Sequence, residues 1–108
     1  MQAPLNQTLS ADGSTEWFKA GSNLIQITLD ATDGNGFGSG TIKLYKKSAQ
    51  GNAVPLTDDS NTDVSLTVAQ VRNIEVVQGS EWRATLSGSS SPTLYVTIED
   101  IADAPFRA

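Results

Sequence analysis

The segment EWRATLS, residues 81–87, alternates apolar and polar side chains along its length. Trp82, Ala84 and Leu86 share one phase, and the residues between them are polar or charged. The segment LYVTIE, residues 94–99, repeats this period of two. Successive side chains of a β-strand point to opposite faces, whereas a helix repeats about every 3.6 residues. Both segments therefore predict strands with one buried face and one solvent-facing face.

The same alternation predicts strands along the rest of the chain. Predicted strands cover residues 23–31, 41–46, 53–57, 64–68, 71–76, 81–87 and 93–99, with shorter ones on either side of Asp12. Pro55 weakens the strand at 53–57 because proline cannot donate to a sheet ladder. One short helical turn is predicted at residues 69–72.

These strands predict the fold class. About eight or nine short strands, with turn residues about every eight to twelve positions, are typical of an all-β, antiparallel β-sandwich. The number of strands favours a jelly-roll-like sandwich over a seven-stranded immunoglobulin one. A chain of 108 residues is of ordinary size for one domain. We expect an N-terminal arm and first strand in residues 1–12, the sandwich in 13–100 and a C-terminal tail in 101–108.

The glycine-rich segment 33–40 separates two strongly predicted strands. We expect these strands, 23–31 and 41–46, to form a hairpin with a long flexible tip or a bulge. A phosphate-binding loop needs a helix behind it, and none is predicted here. A calcium loop beginning at Asp33 would need oxygen ligands where the chain has Phe37 and Leu44.

Two groups of acidic residues invite a chemical role. The run Asp58, Asp59, Asn61 and Asp63 is interpreted as a solvated turn, with a structural cation as the alternative. Paired carboxylates could serve glycoside hydrolysis. The candidates for that role are Glu16, Glu75, Glu81 and Glu99. Each is predicted at an outward or edge position, so acid–base catalysis is not expected.

The composition narrows the function further. The chain has no histidine and no cysteine, which removes the usual general base, the commonest transition-metal ligand and any disulfide or thiolate chemistry. We expect no enzymatic activity, catalytic residue, metal or cofactor. The net charge is −5, and no basic run extends beyond Lys46 and Lys47, which disfavours a nucleic-acid partner. No apolar stretch or leader pattern predicts a membrane partner or export, so synthesis in the cytoplasm without export is expected.

Aromatic residues supply the candidate contact sites. Tyr45 and Tyr95 occupy the polar phase of strands, where tyrosine suits a protein interface; ordinary cross-strand pairing is the alternative. Trp82 is predicted in the core. Trp17 and Phe18 are adjacent, so on a strand they must point to opposite faces.

The ends of the chain supply four further candidate contact residues. Met1 and Leu5 at one end, and Phe106 and Arg107 at the other, are predicted to dock on a neighbouring chain. Packing back onto the same subunit is the alternative for each end.

Three segments carry a resemblance to a known family. Residues 77–88, VQGSEWRATLSG, followed by 91–98, SPTLYVTI, resemble the closing hairpin of small β-sandwich proteins on tailed-phage virions. Residues 38–44, GSGTIKL, resemble the strand that follows a glycine loop in such modules. Over roughly residues 23–99 the chain is similar to bacteriophage capsid cement or decoration proteins.

The resemblance implies a structural role without catalysis. Copies would bind the outer capsid surface of the virion as dimers or trimers and cement neighbouring major capsid subunits. A carbohydrate- or receptor-binding module of a phage tail fibre or surface protein is the main alternative, with Trp17, Phe18, Tyr45 and Tyr95 as candidate sugar platforms. A bacterial immunoglobulin-like adhesion domain is the third.

Overall fold

Ten β-strands form two antiparallel sheets in the computed structural model, which describes residues 3–31 and 36–101. The strands are β1 (Leu5–Leu9), β2 (Gly13–Ser14), β3 (Phe18–Lys19), β4 (Leu24–Asp30), β5 (Thr41–Lys47), β6 (Ala53–Pro55), β7 (Ser65–Leu66), β8 (Gln70–Glu75), β9 (Glu81–Ser87) and β10 (Leu94–Asp100). Sheet I has the order β1-β10-β4-β8. Sheet II has the order β2-β9-β5-β6, with β3 also paired to β9 and β7 also paired to β5. The predicted all-β sandwich is confirmed.

The strand partners follow one another from the ends of the chain inward. β1 pairs with β10, β2 and β3 with β9, β4 with β8, and β5 with β6 and β7. The chain is therefore one long antiparallel ribbon with its tip at the turn 48–52, where Ser48 N–H donates to the Asn52 carbonyl at 2.8 Å. Wrapping this ribbon places alternate parts of it in opposite sheets, which is the jelly-roll arrangement.

Two interrupted edge strands raise the count above the predicted eight or nine. Residues 15–17 separate β2 from β3 along β9. Residues 57–63 form a small excursion, closed by a bridge between Thr57 and Asp63, that separates β6 from β7 along β5. Counted as two continuous edges, these segments give an eight-stranded sandwich.

Three local predictions are wrong. The helical turn at 69–72 is not formed, because residues 70–75 pair with β4 as strand β8, and tertiary pairing overrides a weak local preference. The hairpin of 23–31 with 41–46 is not formed either, since β4 lies in sheet I and β5 in sheet II. The closing hairpin of the resemblance fails for the same reason, because β9 and β10 lie in different sheets.

The core lies between the inward faces of the two sheets. Sixteen hydrophobic residues are buried within the described part of the chain. The nine largest side chains with almost no exposed surface are Ile25, Ile27, Leu29, Ile42, Leu44, Leu86, Leu94, Val96 and Ile98. Each full burial of such a side chain contributes about 1.5–3 kcal/mol to stability. Trp82 is only 6% exposed, which confirms its predicted core position.

The two ends of the sandwich differ. At one end, the described part of the glycine-rich connection packs on residues 88–93, with Ser90 N–H donating to the Gly38 carbonyl at 2.9 Å. Phe37 is 6% exposed and anchors this connection in the core. We call this end, built from 36–40 and 88–93, the loop end. Residues 32–35, which include Asp33, lie outside the described residues. The first ligands of the calcium-loop alternative belong to this segment.

At the opposite end the chain enters and leaves the sandwich. β1 begins beside the end of β10, since Leu5 lies opposite Ile98. Residues 20–23 join the sheets here, with Ala20 N–H donating to the Ser80 carbonyl at 2.8 Å and Gly21 N–H to the Asp100 carboxylate at 2.8 Å. In residues 3–31 and 36–101 there is no helix long and apolar enough to cross a membrane.

Candidate functional site

A β-bulge on the edge of sheet II determines where Trp17 lies. Ser14 pairs with Thr85 and Phe18 pairs with Trp82, so three residues on the edge oppose two on β9. At the bulge, Thr15 replaces the missing backbone acceptor for β9, because its hydroxyl oxygen accepts the hydrogen bond of the Ala84 N–H at 3.2 Å. Phe18 turns into the core at 3% exposure, while the adjacent Trp17 stays partly exposed. The prediction that this pair points to opposite faces is confirmed.

Trp17 lies against a cation of the neighbouring strand. The Arg83 Cζ atom is 4.4 Å from the centre of the Trp17 ring, and the Lys47 Nζ atom is 5.8 Å from it. Tyr45 lies directly opposite Arg83 on β5. These three side chains cross the outward face of sheet II from its edge toward its middle, and we call them the Trp17–Arg83–Tyr45 row.

Arg83 is the unusual member of this row. Its Nε atom is buried and has no hydrogen-bond partner among the described residues. The two Nη atoms of Arg83, by contrast, are not buried without a partner. The outer end of the guanidinium group is therefore accessible to a binding partner. Two other cations of this face have carboxylate partners, whereas Lys19 on β3 is exposed. Lys43 lies 3.1 Å from Asp63, and Lys47 lies 3.9 Å from Glu81.

Charge divides sharply between the two sheets. The strands of sheet I carry Arg72 and four acidic residues, a net charge of −3. The strands of sheet II carry five basic residues and Glu81, a net charge of +4. A chain with a net charge of −5 thus presents a basic sheet that the sequence composition conceals. Such a surface attracts acidic partners even though the whole molecule is acidic.

A groove of about 520 Å³ opens at the end of the sandwich where the chain enters and leaves. Its walls include Lys46, Lys47, Val54, Leu56 and Trp82. We call this the groove end. The adjoining edge strand β6 has only three residues and ends in Pro55, which shortens the free backbone edge available for pairing with another strand.

The predicted contact residues are dispersed over the molecule. Tyr45 is partly exposed on sheet II, and Tyr95 is 41% exposed on the outward face of sheet I. Leu5 belongs to β1 and packs against the core of its own chain, which is the alternative for that residue. Met1, Phe106 and Arg107 lie outside the described residues.

The acidic run at 58–63 forms a hydrogen-bonded turn. The Asp58 carboxylate accepts the N–H groups of Ser60 at 2.8 Å and Thr62 at 3.1 Å. Asp63 pairs with Lys43. No group of three potential metal ligands occurs within residues 3–31 and 36–101. The hydrogen bonds of Asp58 and the ion pair of Asp63 support the turn interpretation.

The carboxylates considered for glycoside hydrolysis do not share one surface. Glu75 and Glu99 belong to sheet I, whereas Glu81 belongs to sheet II and pairs with Lys47. Glu16 lies exposed in the bulge. Within sheet I, β4 separates β8 from β10, so Glu75 and Glu99 lie on the same sheet but not on adjacent strands.

A carboxylate clamp joins two connections at the loop end. The Asp12 carboxylate accepts the backbone N–H groups of Gly88 at 3.1 Å and Ser89 at 2.9 Å. It also accepts a bond from the Ser89 hydroxyl. These bonds, that of the Ser89 side chain foremost, lower the pKa of Asp12 below its ordinary value of 3.8, because they stabilise the charged form.

Sequence reasoning missed Arg83 as a site residue. Its strand and outward phase were predictable, but its neighbours were not, because strand order cannot be read from periodicity. Only the pairing of β9 with both β5 and the bulged edge brings Tyr45 and Trp17 to it.

Comparison with protein-family models, with curated proteins and with solved structures gave no match. The candidate site therefore rests on the geometry of this chain alone.

Proposed function

We propose that this chain is a non-enzymatic virion structural protein that binds the outer capsid surface and cements neighbouring major capsid subunits. The Trp17–Arg83–Tyr45 row is the observation that supports this proposal. Trp, Arg and Tyr contribute most of the binding energy in protein interfaces. Here all three stand side by side on a sheet whose opposite face is a packed core, so the surface is held rigid before binding.

The placement of the two tyrosines suits a bridging role. Tyr45 lies on the outward face of sheet II, and Tyr95 lies on the outward face of sheet I. One flat partner cannot contact both. A cementing protein needs at least two contact surfaces, and we assign sheet II to the capsid and Tyr95 to a second copy of the chain in a dimer or trimer.

A carbohydrate- or receptor-binding module is the second candidate, favoured by the 41% exposure of Tyr95. The jelly roll is found in both viral capsid and lectin domains, so the fold is compatible with either function. The aromatic side chains favour the first. Phe18 is in the core, and one face of the Trp17 ring is covered by Arg83, which leaves fewer rings for stacking on a sugar.

Cosedimentation with purified tailed-phage capsids that lack this chain tests the proposal. We expect saturable, stoichiometric binding, and we expect Tyr45→Ala to weaken it about tenfold, as truncation of a central interface tyrosine does. Val71→Ala is the matched control, because Val71 is 56% exposed on sheet I and its removal should leave binding unchanged.

A glycan array separates the two candidates. The cement function predicts a blank array. Glycan binding that is lost in Tyr45→Ala or Tyr95→Ala, together with no binding to capsids, would replace the proposal with the second candidate.

A further inference from the structure

We infer that the guanidinium group of Arg83 is a recognition site for a carboxylate, namely an Asp or Glu side chain on the surface of the partner protein. The inference rests on the proposed function only in taking that partner to be a capsid subunit. The juxtaposition that carries it is a basic face on which Arg83 has a buried Nε atom and no carboxylate partner among the described residues. A planar guanidinium binds a carboxylate through two parallel hydrogen bonds.

Contacts with neighbouring side chains restrict this guanidinium group. Trp17 lies 4.4 Å from Arg83 Cζ, and the buried Nε atom fixes the end of the side-chain stem. Tyr45 stands directly opposite on the next strand. Arginine ordinarily loses much conformational freedom when it binds a ligand. Because the contacts in the folded chain already restrict Arg83, binding costs less side-chain entropy and the affinity for the partner is higher.

The charges around Arg83 favour an anionic partner, and they leave Arg83 without a competing ion pair within the described chain. Lys43 is paired with Asp63, and Lys47 with Glu81, whereas Arg83 has no carboxylate partner among the described residues. The outward positions of the sheet II strands carry Lys19, Lys43, Lys47 and Arg83 against Glu81, with Asp63 beside Lys43. This excess of cations attracts anions toward the face. A cationic or purely apolar partner would leave Arg83 desolvated without compensation.

A protein carboxylate fits this surface better than a carboxylated sugar. Sugar sites usually present a free aromatic face, and the Trp17 face nearest Arg83 is already occupied by the guanidinium group. The remaining outward side chains of β5 and β9 are short hydroxyls, two paired lysines and Glu81, which pairs with Lys47. Among the hydroxyls, Thr85 bonds to Ser14 at 2.7 Å. A broad protein surface with one projecting acidic side chain can cover such a face.

Side-chain NMR of the two arginines in the described chain tests the site without any capsid. The Arg83 Nε–H is shielded from solvent, whereas the Arg72 Nε–H is exposed and bonded to Gln70 at 3.1 Å, which makes Arg72 an internal control. The probe is a short capped tetraglutamate peptide. We expect a saturable shift at Arg83, little change at Arg72, and loss of the effect at about 1 M salt, where the Debye length is about 3 Å. Equal and unsaturable shifts at both arginines would overturn the inference.

Free N-acetylneuraminate and glucuronate form the second arm of the titration. Weaker binding of these sugars than of the peptide supports a protein carboxylate. Saturation at a lower concentration than the peptide would show that the source is a glycan, and the inference as stated would be wrong.

Capsid binding then separates this inference from the proposed function. Arg83→Gln should lower affinity about tenfold, since a hydrogen bond to a charged group is worth about that factor or more. The affinity of Arg83→Lys should lie between those of Arg83→Gln and the wild type, because lysine keeps the charge but lacks the paired, planar N–H donors of the guanidinium group. Arg72→Gln should bind normally.

Two outcomes are diagnostic. If wild-type protein binds capsids and folded Arg83→Gln binds equally well, the carboxylate site is wrong and the cement function stands. If no form binds capsids while Arg83 still responds to tetraglutamate, the cement function is wrong and the site stands. Arg83→Lys keeps the test decisive if the glutamine variant fails to fold.

Discussion

Individual residues at the loop end show how close backbone approach constrains the sequence. Gly38 has a φ of +56°, and a Cβ atom at this position would lie 2.4 Å from the Ser90 carbonyl oxygen. The positive φ favours glycine, since the left-handed region costs other residues energy, and the close approach requires it, because the obstructing atom belongs to the backbone. Phe37 beside it fills the core.

Gly38→Ala should therefore destabilise the protein by about 3 kcal/mol or more, which combines the backbone and steric costs. Gly51→Ala is the matched control, because Gly51 has a φ of +88° but open space around its Cβ position. It should cost only about 1 kcal/mol. Urea unfolding measures both changes. Equal losses of unfolding free energy in the two variants would show that the backbone at Ser90 moves away from the added Cβ atom at no energetic cost.

A second residue at the loop end predicts a pH dependence. Hydrogen bonds from Ser89 and Gly88 hold the pKa of Asp12 below 3.8. A lowered pKa in the folded state adds stability above the unfolded value, and this stability is lost as the pH falls through the folded value. Asp12→Ala should thus be less stable than the wild type near about pH 7, and the difference should shrink below pH 3.8.

Urea unfolding across this pH range measures the difference between the two proteins. Asp59→Ala is the control, because Asp59 is exposed on the 57–63 excursion. Its effect should stay within about 0.5 kcal/mol at each pH. A pH-independent loss in Asp12→Ala would assign the effect to the turn itself instead of the charge.

At the scale of elements, the bulge is the feature that organises the candidate site. The edge strand carries one residue more than β9 between Ser14 and Phe18, and the side-chain phase therefore differs on its two sides. Glu16 is the exposed residue within it. Removing one residue here would leave 14 outward, 15 inward, 17 outward and 18 inward, which is a regular strand.

Deletion of Glu16 should accordingly be tolerated, with Phe18 still in the core and Trp17 still on Arg83. We expect a folded protein with a loss of about 1–2 kcal/mol in the free energy of unfolding, of the ordinary size for a single change. Deletion of Gln26 from β4 is the contrasting control, since it reverses the phase of a central strand and should prevent folding. Circular dichroism and urea unfolding measure both outcomes. Unfolding of the Glu16 variant would contradict this account of the bulge.

On the scale of the whole molecule, the wrapped ribbon makes most contacts non-local. β1 pairs with β10 across nearly the full length of the described chain. Such topologies fold slowly, on the order of milliseconds to seconds, because distant segments must meet before contacts are gained. Both sheets share one core, so we expect them to unfold together.

Two spectroscopic probes test this expectation. Trp17 and Trp82 both report on sheet II, whereas far-ultraviolet circular dichroism reports on both sheets. The two urea transitions should coincide in midpoint. A separate transition for fluorescence would show that sheet II unfolds on its own and would contradict a single cooperative unit.

The sequence predicts the strands well and their neighbours poorly. Alternation in β4, β9 and β10 gives the buried phase correctly, because burial on one face imposes a period of two. Alternation cannot show which strands pair, so the predicted hairpin of the adjacent strands β4 and β5 is wrong. The candidate site is the part of the molecule least predictable from the sequence, because it depends on which strands are neighbours. The polar phase of Tyr45 predicts a contact residue, whereas only the sheet order, which places Arg83 between Tyr45 and Trp17, indicates a role for Arg83.

The wrapped ribbon also determines how the molecule could carry cargo. The described chain starts at Ala3 and finishes at Ile101, and both positions adjoin the groove end because β1 begins where β10 stops. A fluorescent protein or an epitope joined ahead of Ala3 or behind Ile101 would project from that one side. The loop end would stay clear, so this sandwich offers a scaffold for one-sided display.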